Sequence, residues 1–131
     1  MARHKMSPRE LHIDQRRQRR LRAAPMKDLY PQVQSLEFDM TFSGEDIVSP
    51  PPSRKLEKLV SDSCAFFEFD CSYRDCIDGG FDLTGVVTDM VEKGKTKCSG
   101  DLFCQGRQEG RRNLCFHRLT YKIFVKYKND D

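Results

Sequence analysis

The chain has 131 residues, 37% of them hydrophobic and 33% charged, with a net charge of +3. That length suits one domain and leaves no room for a second independent core, and the composition is that of an ordinary globular protein rather than a collagenous or low-complexity one. No run approaches the roughly 18 apolar residues needed to cross a bilayer, and the first thirty residues are basic with no apolar stretch behind them, so the sequence predicts no membrane contact, no secretion signal and an intracellular, cytoplasmic setting.

The charge is unevenly spread. Residues 1–30 carry nine Lys/Arg against three Asp/Glu, which makes this arm +6 and the remainder −3. Within the arm, Ser7-Pro8-Arg9-Glu10 has the spacing of a capping box, with proline in the first turn where its missing N–H costs nothing. A helix over about residues 8–23 follows, ended by Pro25. Its apolar residues Leu11, Ile13 and Leu21 form no continuous stripe, so the arm is expected to be helical or disordered, with little to bury against the rest.

Residues 33–42 alternate, with Leu36, Phe38, Met40 and Phe42 on one face and Glu37, Asp39 and Thr41 on the other, which predicts a strand. Residues 43–53 contain Pro50, Pro51 and Pro52 and read as a long surface loop, with a proline-rich ligand segment as the alternative. Alternation returns over residues 65–71, where Ala65, Phe67, Phe69 and Cys71 share a face, giving an expected second strand. Asp78-Gly79-Gly80 signals a turn. Residues 82–93 then have the strongest helical period in the chain: Leu83, Val86, Val87, Met90 and Val91 form one stripe, Asp82 suits the N-cap and Gly94 the stop. A third strand over residues 97–105, a Gly- and Arg-rich loop and a fourth strand over residues 114–128 complete the order. In that last strand Cys115, His117, Leu119, Tyr121, Ile123 and Val125 share the core face, and Lys122, Phe124 and Lys126 share the other. The expected fold class is therefore α+β: a basic arm at 1–30, then a single domain at 31–129 with a mainly antiparallel sheet of about four strands and one amphipathic helix packed on it.

Six cysteines are more than packing requires in a chain expected to meet a reducing compartment. Cys71 and Cys76 flank a short knuckle at a strand end, and Cys104 and Cys115 close the two ends of the loop between the last strands. Two such pairs can present four thiolates to one tetrahedral zinc ion, a soft-ligand structural site. The spacings are not the CxxC of the strongest zinc signatures, so unpartnered thiols and disulfides stay open as alternatives. Cys98 or His117 has the strand parity to replace one of the four, and Cys64 has the wrong parity.

Two non-enzymatic functions fit. The first is a protein-interaction or assembly module, with the arm ordering on an acidic protein partner. The second is a nucleic-acid binder, in which Arg16, Arg17, Arg19, Arg20, Arg22, Arg111, Arg112, Lys122 and Lys126 neutralise phosphates and Phe124 offers a stacking surface. A cysteine-dependent enzyme would use Cys76 near the start of the helix with His117 as base, but ligand and core roles explain both residues with fewer assumptions. No catalytic residue is assigned.

Overall fold

The computed structural model describes residues 7–44, 53–71, 76, 79–104, 106 and 117–128. It begins with helix α1, Pro8–Arg22, whose start is the capping box read from the sequence. The Glu10 N–H donates to Ser7 Oγ at 3.1 Å, and the Ser7 N–H donates to the Glu10 carboxylate at 3.4 Å. Two otherwise orphaned amides of the first turn are thereby satisfied. A single helical turn, α2 (Met26–Leu29), follows and buries Met26; its apolar residues are too few to give a periodic signal.

The sheet is antiparallel throughout, in the order β2-β1-β6-β5, with β1 Val33–Ser43, β2 Ser53–Val60, β5 Lys97–Phe103 and β6 Arg118–Tyr127. The two longest strands, β1 and β6, sit at its centre, with Phe38 opposite Ile123 and Met40 opposite Tyr121. The alternation predicted for both is observed: Leu36, Phe38, Met40, Leu119, Ile123 and Val125 are buried, whereas Glu37, Lys122, Phe124 and Lys126 are exposed. Each of these large buried side chains removes enough apolar surface from water to contribute roughly 1.5–3 kcal/mol, so the central strands organise the core.

Helix α3, Thr84–Glu92, covers the apolar face with Val87, Met90 and Val91. It is shorter at its start than the expected residues 82–93, because Asp82 is already committed to a strand, β4 (Phe81–Asp82). The Asp82 carboxylate still accepts the Thr84 N–H at 2.9 Å, so the residue caps from one position further out. Gly94, at φ 67°, ends the helix as anticipated. Just beyond, Tyr127 Oη donates to the Lys95 carbonyl at 2.7 Å, tying the helix exit to β6.

The expected second strand over residues 65–71 is corrected. Only Glu68–Phe69 (β3) is extended and paired, and its partner is β4, Phe81–Asp82, in a separate two-stranded sheet. The alternation at Phe67, Phe69 and Cys71 marked burial accurately but not strand pairing: these side chains dock onto the core, where Phe69 meets Phe38 edge-on at 5.4 Å between ring centroids. The strand that completes the main sheet is β2, placed where the sequence suggested nothing. It is an edge strand whose side chains are mostly exposed, held by its ladder to β1, by Leu59 packing partly against the core and by cross-strand ion pairs such as Arg54 with Asp39 at 2.8 Å. Charged side chains along an edge also discourage pairing with other chains.

Helix α1 is not a loose arm. Arg16, its single buried residue, donates to the Gly79 carbonyl at 3.0 Å and pairs with Asp70. Arg19 bonds Glu68 at 2.9 Å, and Arg20 lies 5.4 Å from the Phe66 ring centroid. The helix has no apolar stripe, as expected, and docks through guanidinium groups instead. Among the described residues no helix is long and apolar enough to cross a membrane.

Candidate metal centre

Three of the cysteines converge. Cys104 lies one residue past β5, where its N–H donates to the His117 carbonyl at 2.7 Å and so extends the β5–β6 pairing by a rung. Cys71 lies two residues past β3, and Cys76 lies between it and the Gly79-Gly80 approach to β4. The Sγ atoms of Cys71, Cys76 and Cys104 all fall within 4.8 Å of one another, and all three residues are buried. The Cys76 and Cys104 sulfurs are 3.7 Å apart. Zinc–sulfur bonds of about 2.3 Å in a tetrahedron place two sulfurs about 3.8 Å apart, whereas a disulfide requires about 2.05 Å. The spacing therefore suits thiolates sharing an ion and excludes a Cys76–Cys104 disulfide in this conformation.

The walls of the cluster are backbone. A Cβ on Gly79 would collide with the sulfurs of both Cys76 and Cys104, and one on Gly106 would come within 2.6 Å of Cys76 Sγ. Gly106 also points its N–H at Cys104 Sγ, 3.4 Å away. Amide N–H groups directed at sulfur stabilise negative charge there, which is what a metal-bound thiolate carries. Helix α1 closes the other side: Arg9 donates one N–H to the Cys76 carbonyl at 2.9 Å and another to the Cys71 carbonyl at 3.2 Å. The arginine fixes the backbone of two cysteines at once.

Of the four cysteines expected as ligands, the structure brings Cys71, Cys76 and Cys104 together, and Cys115 lies outside the described residues. Cys98 sits on β5 opposite Ile123 and packs against the core, and Cys64 forms an isolated bridge with Pro25; neither belongs to the cluster. His117 is buried beside Cys104 in backbone terms, but its ring is not in the group either.

The residues expected to contact nucleic acid divide into three sets. Arg16, Arg19 and Arg20 are turned onto the body of the protein as described, and Arg17 pairs with Asp14 at 2.6 Å within α1. Arg22 is exposed on the last turn. Lys122, Phe124 and Lys126 project from the open face of the sheet, and Arg111 and Arg112 lie outside the described residues.

Sequence reasoning missed Gly79 and Gly106 as walls, reading the first only as a turn, and missed Arg9 and Arg16 as clasps. A signal was present for the arginines: Arg9, His12, Arg16 and Arg19 recur at three- and four-residue intervals, so they share one helix face just as an apolar stripe would. Comparison with protein families, with curated proteins and with solved structures gives no match, so the chemistry of the site carries the functional reading.

Proposed function

We propose that this chain is a small non-enzymatic binding or assembly module whose fold is stapled by a structural zinc ion. The observation that carries the reading is the convergence of three buried thiols, Cys71 and Cys76 from one segment and Cys104 from another 28 residues further on, within 4.8 Å of one another. Thiolate ligands favour zinc over the hard cations, and Cys115 is the fourth ligand we assign, on the strength of its position at the far end of the loop that Cys104 begins. A zinc ion held by four thiolates has no open position for water, which is why the reading is structural and not hydrolytic.

The role of such an ion here is mechanical. The β3–β4 sheet has two residue pairs, and Cys71 and Cys76 both fall between its strands in sequence. Metal binding contributes roughly 10 kcal/mol or more to folding in small zinc domains, comparable with the whole stability of a domain of this size. That free energy would fix the Cys71 and Cys76 backbone against the end of β5 and give α1 its docking surface. The arginines of α1 are largely spent on that docking, so a partner is more readily met by the sheet than by the arm.

The test is elemental analysis of the purified protein with a thiol count before and after chelation. We expect about one zinc per chain, with four thiols becoming reactive when the metal is stripped. Six thiols reactive from the outset and no metal would overturn the proposal.

A further inference from the structure

The apolar face of the sheet is covered by α3 and the β3–β4 pair, and on the opposite face Glu37, Lys97, Lys122, Phe124 and Lys126 are exposed. Phe124 stands at the centre of that face, on a central strand, with 37% of its surface exposed. Its neighbours across the sheet are Glu37 on β1 and Lys97 on β5, and its neighbours along β6 on the same face are Lys122 and Lys126. A ring in this place lies outside the core, which is on the other side of the strand.

Charge on this face is not balanced locally. Glu37 is met by Lys58 at 3.7 Å, Asp39 by Arg54 at 2.8 Å, and Asp101 accepts a hydrogen bond from Thr120 at 2.7 Å. Among the described residues Lys97, Lys122 and Lys126 have no carboxylate within ion-pair distance, although Lys122 is near enough to Asp39 to help Arg54 hold that carboxyl below its ordinary value. Three cations with no ion pair among the described residues thus surround an exposed aromatic ring. The Lys97 ammonium lies 6.0 Å from the ring centroid, a contact that an exposed and flexible side chain exchanges readily for an anion. Beside the ring, Glu37, Asp39, Leu56 and Lys58 line a shallow cleft of about 340 Å³.

We infer that this face binds single-stranded nucleic acid. Phe124 stacks against a base whose edge enters the cleft, while Lys97, Lys122 and Lys126 take the flanking phosphates. A ring between lysines on alternate positions of one strand matches the alternation of base and phosphate along a single strand, and neither feature alone would. An acidic protein segment would satisfy the lysines and leave the ring without a purpose; a duplex would hide its bases from the ring. The site is on the side of the sheet away from the cysteines, so the inference goes beyond the metal reading and does not depend on it.

The test is fluorescence anisotropy with the full chain and a labelled single strand of about 12 nucleotides, as RNA and as DNA, against a duplex of the same sequence and against heparin and polyglutamate as polyanions without bases. Single strands are expected to bind in preference to duplex. Phe124→Ala should weaken single-strand binding about tenfold, Phe124→Tyr should restore it, and Lys122→Gln should lower the steepness of the salt dependence by about one phosphate contact. Phe124 is on the surface, so circular dichroism should show each variant folded. The inference is overturned if single strands fail to bind at about 100 µM protein, if Phe124→Ala binds them as the parent does, or if polyglutamate binds as tightly as the single strands with no dependence on Phe124. The last result would assign the face to an acidic protein. A sample free of zinc that nevertheless binds RNA or DNA through Phe124 would sink the metal proposal alone.

Discussion

Phe38 and Phe124 stand on adjacent central strands one register position apart, since Phe38 pairs with Ile123. They point to opposite faces, and a single residue of strand parity gives them opposite duties. Phe38 is 1% exposed and touches the rings of Phe67 and Phe69. We expect Phe38→Ala to cost roughly 3–5 kcal/mol, the usual result of emptying a buried aromatic site, and Phe124→Ala to change stability by less than about 0.5 kcal/mol; urea unfolding of the two variants measures both. Similar losses from both would mean that the open face is not open. Gly79 makes the same kind of point at the candidate metal centre. Its backbone is not in the left-handed region, so alanine there meets no conformational penalty, and its methyl collides first with the sulfurs of Cys76 and Cys104, with the Gly106 Cα next at 3.3 Å. Gly79→Ala should therefore reduce bound zinc well below one per chain while the sheet remains, as read by metal content and far-ultraviolet circular dichroism. Full metal content in that variant would mean that the sulfurs have room to spare.

At the scale of elements, α1 and the cysteine segment depend on each other. The attachments of α1 described above all reach residues 66–79: Arg9 holds the Cys71 and Cys76 carbonyls, Arg16 holds Gly79 and Asp70, and Arg19 and Arg20 hold Glu68. A helix with no apolar face has no hydrophobic reason to stay once that segment loosens. Chelation should then release α1 while β1 and β6 stay protected, which hydrogen exchange followed by mass spectrometry resolves segment by segment. Equal protection of α1 with and without metal would uncouple the two. The same elements mark how far the sequence could be read. The period-two strands β1 and β6, the α3 stripe and the capping box of α1 were legible because each follows from a local rule of burial or capping. The β2 edge was not legible, because a strand whose side chains are mostly wet carries no apolar alternation and is defined only by its partner. The grouping of Cys71, Cys76 and Cys104 was legible from their places at strand ends. The glycine walls and arginine clasps were not, since both arise from how close two distant backbones come.

For the whole molecule, acid should dismantle these layers in order. In the proposed site thiolates would hold the zinc and protons would compete for the same sulfur atoms, so falling pH would favour the thiol and release the metal well above the carboxylate range. The carboxylates respond later. Arg54 beside Asp39, and Lys93 beside Asp89, hold those two carboxyls below their ordinary value through a direct hydrogen bond in each case. A depressed folded-state value means that the stabilisation is fully present above the unfolded value and disappears as pH falls through the folded one. Both pairs lie at the surface with half-buried carboxylates and exposed cations, so their contribution is small and weakened further by salt. An acid titration should accordingly show two separated events: first metal release with loss of α1 protection, seen with a zinc-sensitive dye and hydrogen exchange, then loss of the sheet by circular dichroism at lower pH. The first event should move to lower pH when excess zinc is added, by mass action, and the second should not. A single transition in which metal and sheet are lost together would mean that the ion holds up the entire core, and that the central strands cannot stand without it.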